Sequence, residues 1–222
     1  LGGIQASLVV QGDAYQDTVN LSDTGNPSQC VQHDRLACAY QDTLNLDDTG
    51  NANPTTGILT NTQIFGFGML GGSVTYKTIE VLNLTTGDKQ TAINVENTSA
   101  GTETNLTTGA GDDVINIRAA QGPLVLDLQQ GHDTAILGSL APLIGGTLDD
   151  VIDGLKIWNL GQPVMMIGGT LDAINGLVTL TAGEGLDVLN IEETADATDN
   201  SGWLTASGLT GLGMTAGVSY NG

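Results

Sequence analysis

Basic side chains are scarce in this 222-residue chain: five Lys and Arg stand against 25 Asp and Glu, for a formal net charge of -20. Phosphate backbones are held by clustered Lys and Arg, so nucleic acid is excluded as a partner and anionic membranes are repelled. No apolar run approaches the roughly 18 residues of a spanning helix, so no membrane insertion is expected. Aromatics make up 4% of the residues, with Trp158 and Trp203 far apart in sequence. A polysaccharide-acting groove would need basic and aromatic groups gathered at one place, which makes such an enzyme the less favoured reading. His33 and His132 are the only histidines and neither has metal-ligand spacing. With no Gly-x-Ser-x-Gly elbow and no phosphate loop, no catalytic residues are expected. The chain opens at Leu1-Gly2-Gly3 without Met or an apolar leader, so any secretion signal lies outside this sequence.

Cysteine is limited to Cys30 and Cys38, in a polar stretch beside Pro27. A local disulfide between them would fit an oxidising, extracellular compartment.

What is abundant is glycine, 32 residues, together with Thr, Asn and Asp. That composition describes short strands and tight turns, an all-β protein. A triplet of apolar, Asn, apolar recurs at Leu82-Asn83-Leu84, Ile93-Asn94-Val95 and Ile115-Asn116-Ile117. Looser versions occur at Thr104-Asn105-Leu106, Leu126-Asp127-Leu128 and Leu137-Gly138-Ser139, so the central positions 83, 94, 105, 116, 127 and 138 advance by 11. The outer residues of each triplet point to one face of a strand and the central one to the other. Alternate units match best: Asn83-Leu84-Thr85-Thr86-Gly87, Asn105-Leu106-Thr107-Thr108-Gly109 and Asp127-Leu128-Gln129-Gln130-Gly131 recur every 22 residues. The expected architecture is a two-sided parallel β-solenoid of about 22 residues per coil, with some wider coils and loops. In it, Leu84, Leu106 and Leu128 would stack as one inward ladder.

The chain is expected to form one continuous solenoid over residues 1–222. An insertion at 24–40 carries the cysteines. A longer repeat overlies the coils: Asp42-Thr43-Leu44-Asn45-Leu46 matches Asp187-Val188-Leu189-Asn190-Ile191, and Gly66-Phe67-Gly68-Met69 matches Gly211-Leu212-Gly213-Met214, at an offset of 145. Its copies run over about 42–173 and 187–222, the second shorter. Residues 57–78 and 141–169 break the short period and should be wider coils or side loops.

These aspartate-rich strands, the glycine-rich stretch ending in Gly-Met, then Tyr and Ile79-Glu80-Val81-Leu82-Asn83, resemble the long tandem repeats of very large extracellular, adhesin-like or calcium-binding-like surface proteins. The turn Thr108-Gly109-Ala110-Gly111-Asp112-Asp113 is similar to the glycine-aspartate turns of the repeats-in-toxin family, as is Ala182-Gly183-Glu184-Gly185-Leu186-Asp187. That resemblance implies Ca²⁺ held by turn carbonyls and carboxylates at Gly109, Gly111, Asp113 and Asp187. At a step of 22 the partner of Asp113 would be Thr91 or Ala135, which breaks the ladder of sites. Asp47 and Asp48, and the matching Glu192-Glu193-Thr194-Ala195-Asp196, are further acidic turns. Asn20, Asn83, Asn97 and Asn105 fit the N-glycan acceptor pattern.

The expected function is structural: a building block of an extracellular filament, surface fibre or giant adhesin stalk, joined end to end through β-pairing. Its partners would be copies of itself or adjoining repeats, with surface glycans as further candidates. The alternatives are a calcium-dependent adhesin and a carbohydrate-binding module.

Overall fold

A computed structural model describes residues 8–11, 18–22, 42–69, 71–138 and 169–221, the first two segments by their backbone. The described residues are all-β and contain no helix. In chain order the strands are β1 (Leu8–Gln11), β2 (Thr18–Ser22), β3 (Thr43–Asp47), β4 (Thr55–Leu59), β5 (Gln63–Gly66), β6 (Ser73–Lys77), β7 (Val81–Thr85), β8 (Thr91–Val95), β9 (Glu103–Thr107) and β10 (Val114–Ile117). They continue with β11 (Leu124–Asp127), β12 (Gln130–Gly131), β13 (Thr134–Leu137), β14 (Val178–Thr181), β15 (Glu184–Gly185), β16 (Val188–Ile191), β17 (Gly202–Thr205), β18 (Gly208–Gly211) and β19 (Val218–Asn221).

Two open sheets hold most of them. One has the order β1-β6-β5-β4-β8-β10-β13-β16, the other β17-β18-β19-β14-β11-β9-β7-β3-β2. Successive strands alternate between the sheets through β7, β8, β9, β10, β11 and β13, and each pairs in parallel with the next strand of its own sheet. Alternation of apolar and polar residues sends one side of the central strands inward, as in the alternating half-buried and buried residues of β3, β7 and β13. Leu82, Leu84, Leu106 and Leu126 come from one sheet and Ile93, Val95, Ile115, Ile117 and Leu137 from the other, and all join a single buried cluster. The central Asn residues form side-chain ladders: Asn83 donates to Asn45 at 2.7 Å, Asn105 to Asn83 at 2.9 Å and Asn116 to Asn94 at 3.0 Å.

The register corrects the expected period. Leu84 pairs with Leu106, a step of 22, but Leu106 pairs with Leu126, a step of 20. Ile93 likewise pairs with Ile115, and Ile115 with Ala135. Leu128 is therefore not the third rung of the ladder, although it is buried. The cause is the turn over 118–123 between β10 and β11: the path from Ile117 to Leu124 is two residues shorter than that between their partners, Val95 and Thr104. The next step, β11 to β14 and β13 to β16, is 54 residues and contains the stretch 139–168, outside the described residues. Most of the irregular segment 141–169 falls there, as do Cys30 and Cys38 within 23–41.

Pairing is not parallel throughout. Residues 57–78 form an antiparallel meander: β4 pairs with β5 and β5 with β6, while β6 pairs in parallel with β1 and β4 with β8. Its tight corner places Gly66 at φ 84° and Phe67 at φ 50°. A Cβ on Gly66 would lie 2.2 Å from the Thr56 carbonyl oxygen, so the corner needs glycine for space as well as for φ. The second copy repeats this geometry, with Gly211 at φ 83° and Leu212 at φ 52°. Tyr76 donates its hydroxyl to the Thr60 carbonyl at 2.5 Å, and Tyr220 donates to Thr205 at 2.7 Å. The long repeat is thus a structural repeat, with one difference: its first meander lies in the β1-to-β16 sheet and its second in the other.

Candidate functional site

The turns that lead from one sheet to the other stack in a column. A Cβ on Gly109 would lie 2.1 Å from the Gly87 carbonyl oxygen, and one on Gly185 1.5 Å from that of Gly131. β12 and β15 pair in parallel within this column. Glycine is required because the backbones of successive turns meet with no room for a side chain.

Behind these glycines runs a row of aspartates. Asp113 Oδ1 accepts from the Thr91 amide at 2.7 Å, Asp133 Oδ1 from the Asp113 amide at 2.8 Å and Asp187 Oδ1 from the Asp133 amide at 3.1 Å. The neighbour of Asp113 is Asp133, not the Ala135 expected from a 22-residue step. The shortened turn restores the carboxylate row that the sequence period had broken. Each aspartate ties its own turn to the preceding one. The Oδ2 atoms of Asp113 and Asp133 are buried without a hydrogen-bond partner. Burial pushes the Asp113 carboxyl up to about 6, opposed by the Thr91 amide and the Thr108 hydroxyl and aided by the charges of Asp133 and Asp112. Asp133 is raised for the same first reason, opposed by the Asp113 amide and aided by Asp187 and Asp112. His132 accepts the Leu186 amide on Nδ1 at 3.1 Å, which joins the same two turns.

The other acidic turns sit apart from that row. Asp47 Oδ1 accepts from the Thr49 amide at 2.9 Å and from its hydroxyl at 2.6 Å, and Asp48 is buried. In the second copy, Glu193 and Asp196 meet Asp172, with side-chain oxygens all within 4.8 Å of one another, close enough to hold one metal ion. Glu193 Oε2 accepts the Leu171 amide at 2.7 Å, and Asn200 donates to both Glu193 and Asp196. Partial burial raises the Glu193 carboxyl, whereas the Thr198 amide and hydroxyl lower that of Asp196. The sequence pointed to Glu193 and Asp196 but not to Asp172. That residue lies in a turn with no acidic run around it and arrives only through tertiary packing.

Asn83 and Asn105 are half-buried members of the asparagine ladder, Asn97 is half-buried, and Asn20 pairs through its backbone with Asn45. Comparison with protein-family models, curated proteins and solved structures finds no match to this chain.

Proposed function

We propose that this chain is a non-catalytic structural element, a two-sided parallel β-solenoid that builds an extracellular filament, surface fibre or adhesin stalk by continuing end to end. The observation that carries the reading is strand polarity. Among the described residues, β1 and β16 are the edges of one sheet and β2 and β17 those of the other. Two antiparallel pairings intervene between β1 and β16, through β5, and two between β2 and β17, through β18. All other pairings are parallel, so each edge strand runs parallel to the opposite edge of its own sheet. Unpaired backbone groups on such edges are templates for further strands. Copies stacked head to tail would continue both sheets in parallel, whereas a two-fold pairing of like ends would bring antiparallel strands together. An acidic surface and the expected Cys30–Cys38 bond agree with an extracellular setting.

Electron microscopy and sedimentation of the purified chain test this. Fibres with strands perpendicular to the axis and a spacing of about 4.8 Å are expected. Monodisperse, closed-ended monomers at high concentration would overturn it.

A calcium-dependent variant of this reading is favoured by the Asp172, Glu193 and Asp196 cluster, an all-oxygen donor set suited to a hard cation such as Ca²⁺. Calcium bound only to the native state raises its melting temperature by mass action, with about 2.7 kcal/mol at a hundredfold excess over Kd. The rise should vanish in Glu193→Gln. Identical melting in chelator and in millimolar calcium would remove the ion from the account.

A further inference from the structure

The two copies of the long repeat differ sharply in burial, and the difference falls on one face. Leu59 is 0% exposed, while its counterpart Leu204 is 73% exposed. Leu44, Leu46 and Tyr76 are buried, but their counterparts Leu189, Ile191 and Tyr220 are only half-buried. Val188 and Trp203, on the same two edge strands, are also exposed. Between the strands lies a recess of about 400 Å³ lined by Leu128, Leu180, Leu189, Ile191, Leu204 and Tyr220. It is the core of the molecule, open at one end.

The first copy shows what belongs there. β3 is covered by β7, with Leu44 opposite Leu82, Asn45 opposite Asn83 and Leu46 opposite Leu84. β4 is covered by β8, with Gly57 opposite Ile93 and Leu59 opposite Val95. Local geometry is the same in both copies, down to the positive-φ corner and the tyrosine hydroxyl bond. The receiving surface on β16 and β17 is therefore already shaped for the same cover.

We propose that β16 and β17 receive a coil with the sequence pattern of residues 81–95, supplied by a further, adjoining repeat and not by β7 and β8 of a second folded copy, which are already paired on both sides. It enters parallel, in the register by which β7 and β8 cover β3 and β4. The incoming Leu82 then faces Leu189, Asn83 lies beside Asn190 as it lies beside Asn45 in the first copy, Leu84 faces Ile191, and Val95 faces Leu204. This rests on the end-to-end reading and adds to it the occupant, its direction and its register.

The test appends a second copy of residues 79–117 directly after Gly222. The appended segment then begins three positions after Tyr220, as Ile79 stands three positions after Tyr76. Hydrogen exchange read by mass spectrometry over residues 188–191 and 202–205 should slow by about tenfold or more. An extension whose copies of Leu82, Leu84, Ile93 and Val95 are serine should not slow it. Leu204→Lys in the receiving chain should cancel the protection of β17, and because Leu204 is exposed the rest of the fold should stay protected. Unchanged exchange with the native extension, or equal slowing with the serine one, overturns the proposal. Protection by the extension without fibres from the unextended chain would sink the end-to-end reading alone. Fibres whose β16 and β17 amides still exchange freely would sink this inference alone.

Discussion

Asp113 is 0% exposed, so its charge is opposed by burial, which the Thr91 amide and the Thr108 hydroxyl offset only in part. Its folded pKa of about 6 lies above the ordinary 3.8, so between those values the native state holds more proton than the unfolded chain. Stability must then fall as pH rises through that window and return on acidification. Asp133 is shifted in the same direction, which makes the row act together. In Asp113→Asn the side chain stays neutral and its carbonyl still accepts the Thr91 amide. Thermal melts from pH 4 to pH 7 should show a smaller loss of Tm in Asp113→Asn than in the unaltered chain, by a few degrees. Equal pH dependence in both would mean that Asp113 is ionised at no net cost. Of the 25 acidic side chains, all but Asp113 are common to both proteins, so their titration drops out of the comparison.

At the scale of elements, the same repeat position meets two fates. Leu59 in β4 has β5 on one side and β8 on the other, whereas Leu204 in β17 has only β18 among the described residues. Truncation of a buried leucine loses its transfer free energy and leaves a cavity, about 2–5 kcal/mol. Truncation of an exposed one changes stability by about 0.5 kcal/mol or less. Leu59→Ala should therefore lower the denaturant midpoint strongly and Leu204→Ala hardly at all in the monomer. If denaturant titration gives similar losses for the two, the open end of the core is closed in solution. The meander to which each leucine belongs is built the same way twice because a glycine at positive φ, a second residue at φ near 50° and a tyrosine hydroxyl bond are local features. Which sheet receives it is not local. It depends on how many times the chain has crossed between the sheets since the previous copy.

For the molecule as a whole, that crossing number has a structural consequence. The first meander widens one sheet and the second widens the other, so an array of such repeats carries meanders on alternate sides. In the proposed end-to-end array, the extra strands would fall on each sheet in turn and would not accumulate on one side. Each sheet also keeps its polarity through a meander, because two successive antiparallel pairings return the strand direction to its starting sense. Strand direction is thereby kept across both meanders. Because strands stack along the axis, extra strands lengthen one side, and negatively stained fibres would show slight bends of alternating direction, one per repeat.

The sequence by itself determined the strand class, the inward residues, the alternation of turns and the long repeat, because side-chain parity and glycine-aspartate turns are written within a few residues of one another. Leu82, Leu84, Ile93, Val95, Leu106, Ile115 and Ile117 are all inward as their triplets require. The register from β9 onward was not legible. A two-residue deletion in a turn leaves the parity of every later strand intact, so a pattern of apolar and polar residues reads the same before and after the slip. Only the hydrogen-bonded pairing of Leu106 with Leu126 reveals it, and with it the contact of Asp113 with Asp133. The meeting of Asp172 with Glu193 and Asp196 was hidden for a related reason, since the stretch that brings them together is set by packing between coils and leaves no short-range mark. The open end of the core on β16 and β17 was likewise decided by tertiary structure. Leu59 and Leu204 share the pattern Gly-x-Leu-Thr, and among the described residues only Leu59 has a strand on both sides.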